Sequence, residues 1–138
     1  MSIQKVEIFR WLDTWQELIN GEQYEAGRPL FSDHVVAFGT VAGVMRSISD
    51  LESRQWRQVW PRIKDFTFQK ETAVIWSDTQ SHFATLCCLW NSLGKAKTSW
   101  YERRGRVTLV LSNQTGSLQC VHSHFSMEPG IPAVADVN

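Results

Sequence analysis

The sequence predicts an α+β domain in which N-terminal helices pack on an antiparallel sheet built from the second half of the chain. Three observations carry this. Ile8, Leu12, Trp15 and Ile19 recur at helical spacing, and Trp11 and Leu18 widen the same apolar stripe. From Phe66 onward the apolar period switches to two, the period of a strand with one buried face. The run from Val107 to Ser126 reads as two long strands joined by the turn-forming Asn113-Gln114-Thr115-Gly116.

Each element has its own signals. The first helix should stop at Asn20-Gly21, since glycine ends a helix at little conformational cost. A short second helix is expected over Glu22 to Phe31, weakened by Gly27 and Pro29. Val35 to Gly39 and Val41 to Arg46 read as short paired strands. Ser49 stands three residues before Glu52, a capping-box spacing that opens a helix through Trp56 and Val59. Pro61 ends or kinks that helix. Strands are then expected at residues 66–76, 82–91, 97–112 and 117–127. Alternation on the last strand assigns Cys120, His122, His124 and Ser126 to one face, and Val121, Ser123, Phe125 and Met127 to the other. Residues 1–127 form one domain, and 128–138, with two prolines and no period, form a loose irregular tail.

Composition limits the function classes. A chain of 138 residues can bury one core without disulfide or metal support. Fourteen basic and fourteen acidic residues leave no net charge, which argues against a nucleic-acid binder, since that needs a basic face. No apolar run approaches the roughly 18 residues of a membrane span, and Met1-Ser2-Ile3-Gln4-Lys5 opens no signal peptide. Three cysteines, with Cys87 and Cys88 adjacent, make no disulfide framework, so a cytoplasmic location is expected. Seven tryptophans call for a deep core or a lined cavity.

The element order resembles the cone-shaped α+β fold of the nuclear transport factor 2-like superfamily, which includes ketosteroid isomerases, SnoaL-like polyketide cyclases and the association domain of calcium/calmodulin-dependent protein kinase II. The likeness is strongest to the association-domain hairpin, which shares Thr108, Val110, Gly116, Gln119, Val121, His122, His124 and Ser126. The resemblance implies helices on a curved sheet around a cavity. It also allows residues to be compared with the family's functional positions. The isomerases' catalytic Asp falls on Gly39, and their oxyanion-hole Tyr falls near Thr14. The cavity arginines of the association domain fall on Leu109, Phe125 and Cys87.

On that template, Trp15, Thr85, Cys87, Leu109, Ser123 and Phe125 are assigned to the cavity, with Tyr101 and Trp56 at its rim. A cavity so lined, with no buried cation, suits a small neutral or weakly polar molecule, unless bulky Phe125 fills the space and leaves no guest. Proton abstraction needs a base, and none is found where the family places one. The expected function is therefore a noncatalytic domain; the alternative is a cofactor-free isomerase, cyclase or hydratase. No cofactor is expected. Cys120, His122 and His124 share an assigned face, but that face lies opposite Phe125, so it is read as packing on a partner subunit and not as a metal site. Cys87 is the nucleophile candidate, though no neighbouring cation is identifiable to lower its pKa. Arg103, Arg104 and Arg106 are read as a solvated strand face, the alternative being an anion site at the cavity mouth. A homodimer is expected through the outer sheet face, assigned to Leu86, Trp90, Val110 and Leu118.

Overall fold

The computed structural model describes residues 2–135. Helix α1 (Lys5–Asn20) buries Ile8, Trp11, Leu12, Trp15 and Ile19, the stripe read from the sequence. It stops at Gly21, whose N–H returns to the Glu17 carbonyl at 2.9 Å. Helix α2 (Tyr24–Gly27) is a single turn, and a 3-10 turn (Arg28–Leu30) containing Pro29 leads into strand β1 (Phe31–Phe38). Strand β2 (Val44–Met45) folds back antiparallel on β1. Helix α3 (Ile48–Leu51) runs through a π-helical segment (Glu52–Trp56) into α4 (Arg57–Val59), and a 3-10 turn (Trp60–Arg62) carries Pro61. Four long strands follow: β3 (Ile63–Ser77), β4 (Phe83–Lys95), β5 (Trp100–Ser112) and β6 (Gln119–Met127).

The capping residue of α3 differs from the sequence expectation. Ser47, not Ser49, is the N-cap, its Oγ accepting the Asp50 N–H at 3.1 Å. Ser49 Oγ instead accepts from Arg28 Nη2 at 2.9 Å. Glu52 is an ion-pair centre and not a capping residue, held by Arg28 at 2.7 Å and Arg57 at 2.8 Å. Those two guanidinium groups, Arg28 foremost, keep its carboxyl below the usual carboxylate range.

The sheet has the order β2-β1-β6-β5-β4-β3. It is mixed rather than wholly antiparallel, because β1 lies parallel to β6. The long strands pair antiparallel as the sequence suggested. Helix α1 docks on β3 through side chains as well as apolar contact. A bulge between Lys64 and Thr67 takes the Phe66 backbone out of the β4 ladder. The Asn20 amide replaces the missing partner, donating to the Phe66 carbonyl at 2.9 Å and accepting its N–H at 2.8 Å. One turn earlier, Gln16 Oε1 accepts the Phe68 N–H at 2.9 Å. The helix thus satisfies backbone groups that would otherwise be buried unpaired.

β4 and β5 pair without a bulge from Phe83↔Ser112 to Lys95↔Trp100. The inner-face pairs match bulk to absence of bulk: Trp90 opposite Gly105, Tyr101 opposite Gly94, Arg103 opposite Ser92. A Cβ on Gly105 would sit 2.4 Å from the Trp90 ring and 2.1 Å from the Ser126 carbonyl. A Cβ on Gly94 would sit 2.4 Å from the Tyr101 ring. The second register feature is a bulge in β6. Val110 pairs with His122 but Leu111 pairs with Cys120, so Val121 is the extra residue.

Residues 128–135 carry no regular element, but they are not loose. Glu128 N–H donates to the Arg104 carbonyl at 2.8 Å, Tyr101 Oη to the Pro132 carbonyl at 3.0 Å, and Arg103 Nε to the Ala133 carbonyl at 2.9 Å. Val134 packs against the core. Residues 136–138 of that expected tail lie outside the described residues. Among the described residues no helix is long and apolar enough to cross a membrane.

The Trp90–Gly105 contact yields a direct test. Gly105→Ala should lower stability by about 1–3 kcal/mol, the usual cost of overpacking a core, read as an earlier urea midpoint with unchanged slope. Gly43→Ala, whose Cβ would meet nothing within 4 Å, is the control and should leave the midpoint in place. Equal midpoints for the two variants would refute the close approach of β5 to the indole.

Candidate functional site

The helices and the inner sheet face enclose a cavity of about 40 Å³ at the base of a cleft. The whole free space of that cleft, its solvent-open part included, is about 520 Å³. Ligand cavities for drug-sized molecules usually fall near 300–1,000 Å³. The space here admits about three water molecules at roughly 10–15 Å³ each. Aromatic packing explains the small size. Phe125 lies 5.5 Å from Trp15, 6.0 Å from Trp90 and 6.3 Å from Phe66, ring centre to ring centre. Trp56 stacks on Trp60 at 4.7 Å and closes the helical side.

Four residues assigned to the cavity from sequence line it: Trp15, Trp56, Ser123 and Phe125. Leu109 faces inward and is fully buried, but it belongs to the packed core and not to the cavity wall. Tyr101 also faces inward, opposite Gly94, and its hydroxyl is taken by the Pro132 carbonyl, so it is no part of the cavity rim. Thr85 and Cys87 are corrected. Cys87 pairs with Thr108 and Thr85 with Val110, all on the outer face, and the Cys87 thiol lies 3.4 Å from the Thr108 hydroxyl. The same one-residue shift moves Leu86 and Trp90 from their assigned outer face into the core, where they are fully and almost fully buried. Side chains alternate strictly along a strand, so one misplaced residue inverts the whole strand.

The β6 bulge corrects a further assignment. Beyond Val121 the strand changes face, so Cys120 points into the core opposite Leu111 while His122 and His124 stay outside. The three potential ligands are therefore separated, and the described residues contain no cluster of three or more His, Cys, Asp or Glu able to hold a metal. His122 Nδ1 instead donates to the Val36 carbonyl at 2.6 Å. Both histidines meet the Phe38 ring edge-on, at 5.1 and 5.2 Å. The buried thiols are poor nucleophiles. Desolvation pushes Cys88 up to about 12 and also raises Cys120.

Gly39 sits at the mouth, and the space its side chain would need is occupied. A Cβ there would lie 2.2 Å from Gln55 Oε1. The Gln55 amide is fixed on both sides, donating to Thr40 Oγ1 at 2.7 Å and accepting the Val41 N–H at 3.1 Å. It projects from the π-helical segment, a helix distortion often found at functional sites. A neutral, hydrogen-bonded amide therefore stands where the family comparison would place an acid. Among the described residues, no Asp, Glu or His lines the cavity.

The wall does carry a cation. Arg103 was read as part of a solvated face, yet it is 2 % exposed and lines the cavity, so the expectation of a cavity without a buried cation is corrected. Arg104 is the solvated member, pairing with Glu102 and Glu128. Burial pulls the Arg103 guanidinium below the usual arginine value, and the neighbouring Tyr101 acts the other way. Sequence reasoning missed Arg103, Trp90 and Gln55. For Arg103 the signal was present, because it shares strand parity with Val107, Leu109 and Leu111. For Trp90 it lay in the run Ala84, Leu86, Cys88, Trp90. No local pattern marks Gln55.

Comparison with known proteins agrees with the fold. No curated protein matches the sequence. Among solved structures, a candidate calcium/calmodulin dependent protein kinase II association domain from Xanthomonas campestris superposes with a TM-score of 0.77 at 16% identity, over 91% of this chain and 88% of that one. A nuclear transport factor 2-like superfamily protein from Salmonella enterica serovar Typhimurium gives 0.73 at 17% identity, over 92% and 94%. A candidate dehydratase of the same family from Streptomyces avermitilis gives 0.72 at 11% identity, over 90% and 95%. Identities this low speak for the shared fold alone. The SnoaL-like domain family model matches residues 8–129, nearly the whole of the described fold. This chain belongs to the SnoaL-like domain family.

Proposed function

We propose that this protein is a noncatalytic domain that pairs with a second copy through its outer sheet face and admits only a small guest into its interior. The observation that carries the first part is the Gln55 amide filling the space beside Gly39. General acid–base chemistry needs a titratable group within hydrogen-bond reach of the substrate. Among the described residues the cavity wall offers an amide, hydroxyls, indoles and a guanidinium, none of which works as a base near neutral pH. The three free thiols suit a reducing compartment, so a cytoplasmic location is part of the same reading.

The pairing reading rests on apolar surface. Helices cover the inner face, and the outer face presents Trp76 at 57 % exposure together with Val74, Phe83 and Leu89. Val110 continues this patch on β5. The outer-face residues assigned from sequence are thus replaced by these, except Val110. Leu118 is half-buried against the core. Contiguous apolar surface of this kind favours self-association, and a two-fold axis buries the same patch on both copies.

Light scattering should give twice the 15.9 kDa chain mass at micromolar concentration. Leu89→Glu should halve that mass without unfolding the chain, since the residue is exposed. A stable monomer, or a dimer indifferent to both Leu89→Glu and Trp76→Glu, would refute the proposed surface. The noncatalytic reading has its own test. Gly39→Asp should displace the Gln55 amide and cost about 1–3 kcal/mol, and adding Gln55→Ala should recover much of that loss. Isomerase or hydratase turnover by the unaltered protein, lost on Gln55→Ala, would overturn the noncatalytic reading.

A further inference from the structure

A second cleft, which shares no lining residue with the interior cavity, opens at the corner of the sheet where β3 begins and β4 turns into β5. It has a volume of about 270 Å³ and is lined by Pro61, Arg62, Lys95, Ala96 and Lys97. Backbone pairing ties its two walls together. The 3-10 turn with Pro61 and Arg62 runs straight into β3, whose Ile63 pairs with Gly94 near the end of β4. The opposite wall is the β4–β5 hairpin, closed by the Ala96 N–H donating to the Ser99 carbonyl at 2.8 Å. Lys64 adds a fourth cation at this corner, its ammonium 4.2 Å from the centre of the Trp100 ring. Trp100 in turn pairs with Lys95 across the hairpin. None of the ion pairs among the described residues includes Arg62, Lys64, Lys95 or Lys97. Asp65 follows Lys64 and Glu102 stands two places beyond Trp100, but neither lines the cleft, and Glu102 pairs with Arg104 at 2.8 Å.

Three like charges around one cleft repel each other, and an anion between them turns that repulsion into attraction. The residue types say which anion fits. A guanidinium is a planar fork that matches two oxygens of one phosphate, while each lysine ammonium is a compact point charge suited to a further oxygen. A carboxylate would engage the fork and leave both lysines unmatched. No aromatic, histidine or acidic side chain lines the cleft, so its selectivity rests on charge and hydrogen bonding alone. Its volume of about 270 Å³ admits some twenty water molecules at roughly 10–15 Å³ each, more room than one small ion fills. Two linked phosphates supply the extra oxygens, charge and length. We propose that the cleft binds a diphosphate group, free or esterified to a small molecule, with Arg62 taking two oxygens in its fork and Lys95 and Lys97 pairing with the remainder. Neither the interior guest nor pairing through the outer sheet face is needed for this binding.

Isothermal titration of the full chain with sodium pyrophosphate, in buffer free of phosphate and divalent cations, tests this. One pyrophosphate should bind per chain, and the affinity should fall as sodium chloride rises, since the contacts are charged and open to solvent. Arg62→Gln, and separately the pair Lys95→Gln and Lys97→Gln, should each weaken binding about tenfold. Both should leave the melting temperature of the unliganded protein in place, because these side chains are exposed. Arg62→Lys keeps the charge but loses the fork, so it should bind between Arg62→Gln and the unaltered protein. Arg106→Gln removes an exposed cation that does not line the cleft and should bind as the unaltered protein does. An equal loss in Arg106→Gln would show diffuse attraction to surface charge and overturn the proposal. Displacement of pyrophosphate by equimolar sulfate would show an unselective anion site and overturn it too. Cosedimentation with phosphatidylcholine vesicles containing phosphatidic acid separates a lipid source from a free one. Binding to those vesicles, lost in Arg62→Gln, with no binding of free pyrophosphate, would assign the cleft to a lipid headgroup and overturn the small-molecule assignment. Binding to neither would remove the site.

Discussion

The pairing of β4 with β5 governs the interior of this protein. Its ladder is unbroken from Phe83 to Lys95, so one register decides the facing of every side chain along both strands. In that register Trp90 lies against Gly105, Tyr101 against Gly94 and Arg103 against Ser92. A slip of one residue would oppose Trp90 to an arginine, either Arg104 or Arg106, and would turn Leu86 and Cys88 to solvent. The glycines fix the register by steric exclusion, since either Cβ would overlap a ring by more than 1 Å of ordinary contact distance. Position in the ladder, more than the chemistry of any one residue, determines what the cavity contains.

The aromatic residues then determine how much room is left. Trp11, Trp15 and Phe31 from the N-terminal segment meet edge to face or tilted, with ring centres 4.9–5.6 Å apart. Phe125 enters from β6 into the same cluster. Edge-to-face rings pack well and fill volume. In a fold that elsewhere surrounds an open cone, Phe125 and the tryptophans convert most of that space into core. What is left is too small for a ring-sized substrate. It is bounded by groups that lack partners, which distinguishes it from an ordinary packing void lined by methyl groups.

Much of the architecture was legible from periodicity. The α1 stripe, the Asn20-Gly21 stop, the four long strands and the Gly116 turn all arise from interactions within a few residues of each other, so local sequence encodes them. The failures came where a distant contact decides. Cys120 points inward because Val121 is bulged, and the bulge is visible only when β6 is laid against β5. Thr85 and Cys87 were turned inward by placing their strand on a template one residue out of step, although Ala84, Leu86, Cys88 and Trp90 formed the better apolar alternation. Ser47 caps α3 rather than Ser49 because Arg28, from another element, takes the Ser49 hydroxyl. Arg103 was misread because a charged residue is expected at the surface, and its burial depends on Ser92, Trp90 and the returning tail. Gln55 could not be found at all, since its role exists only through Gly39, Thr40 and Val41.

These substitutions have a common chemical direction. At the mouth, glycine and a fixed amide occupy the place of an acid. Deeper in, Leu109 and Phe125 take the positions that the association-domain likeness gives to arginines, while a different residue, Arg103, brings a cation from further along β5. Among the described residues the cavity wall therefore carries no Asp, Glu or His, and it keeps the positive charge of Arg103. A wall of this composition favours negative charge beside Arg103, and none of its described side chains takes up a proton near neutral pH. Transition-state stabilisation without a base does not accelerate proton abstraction, because the proton has no acceptor. The C-terminal segment contributes directly, since the Ala133 carbonyl holds the Arg103 Nε–H and orients the guanidinium fork. A tail that looks dispensable in sequence thus helps to place a residue of the cavity wall, and Arg103 couples that wall to the docking of residues 128–135 on the sheet.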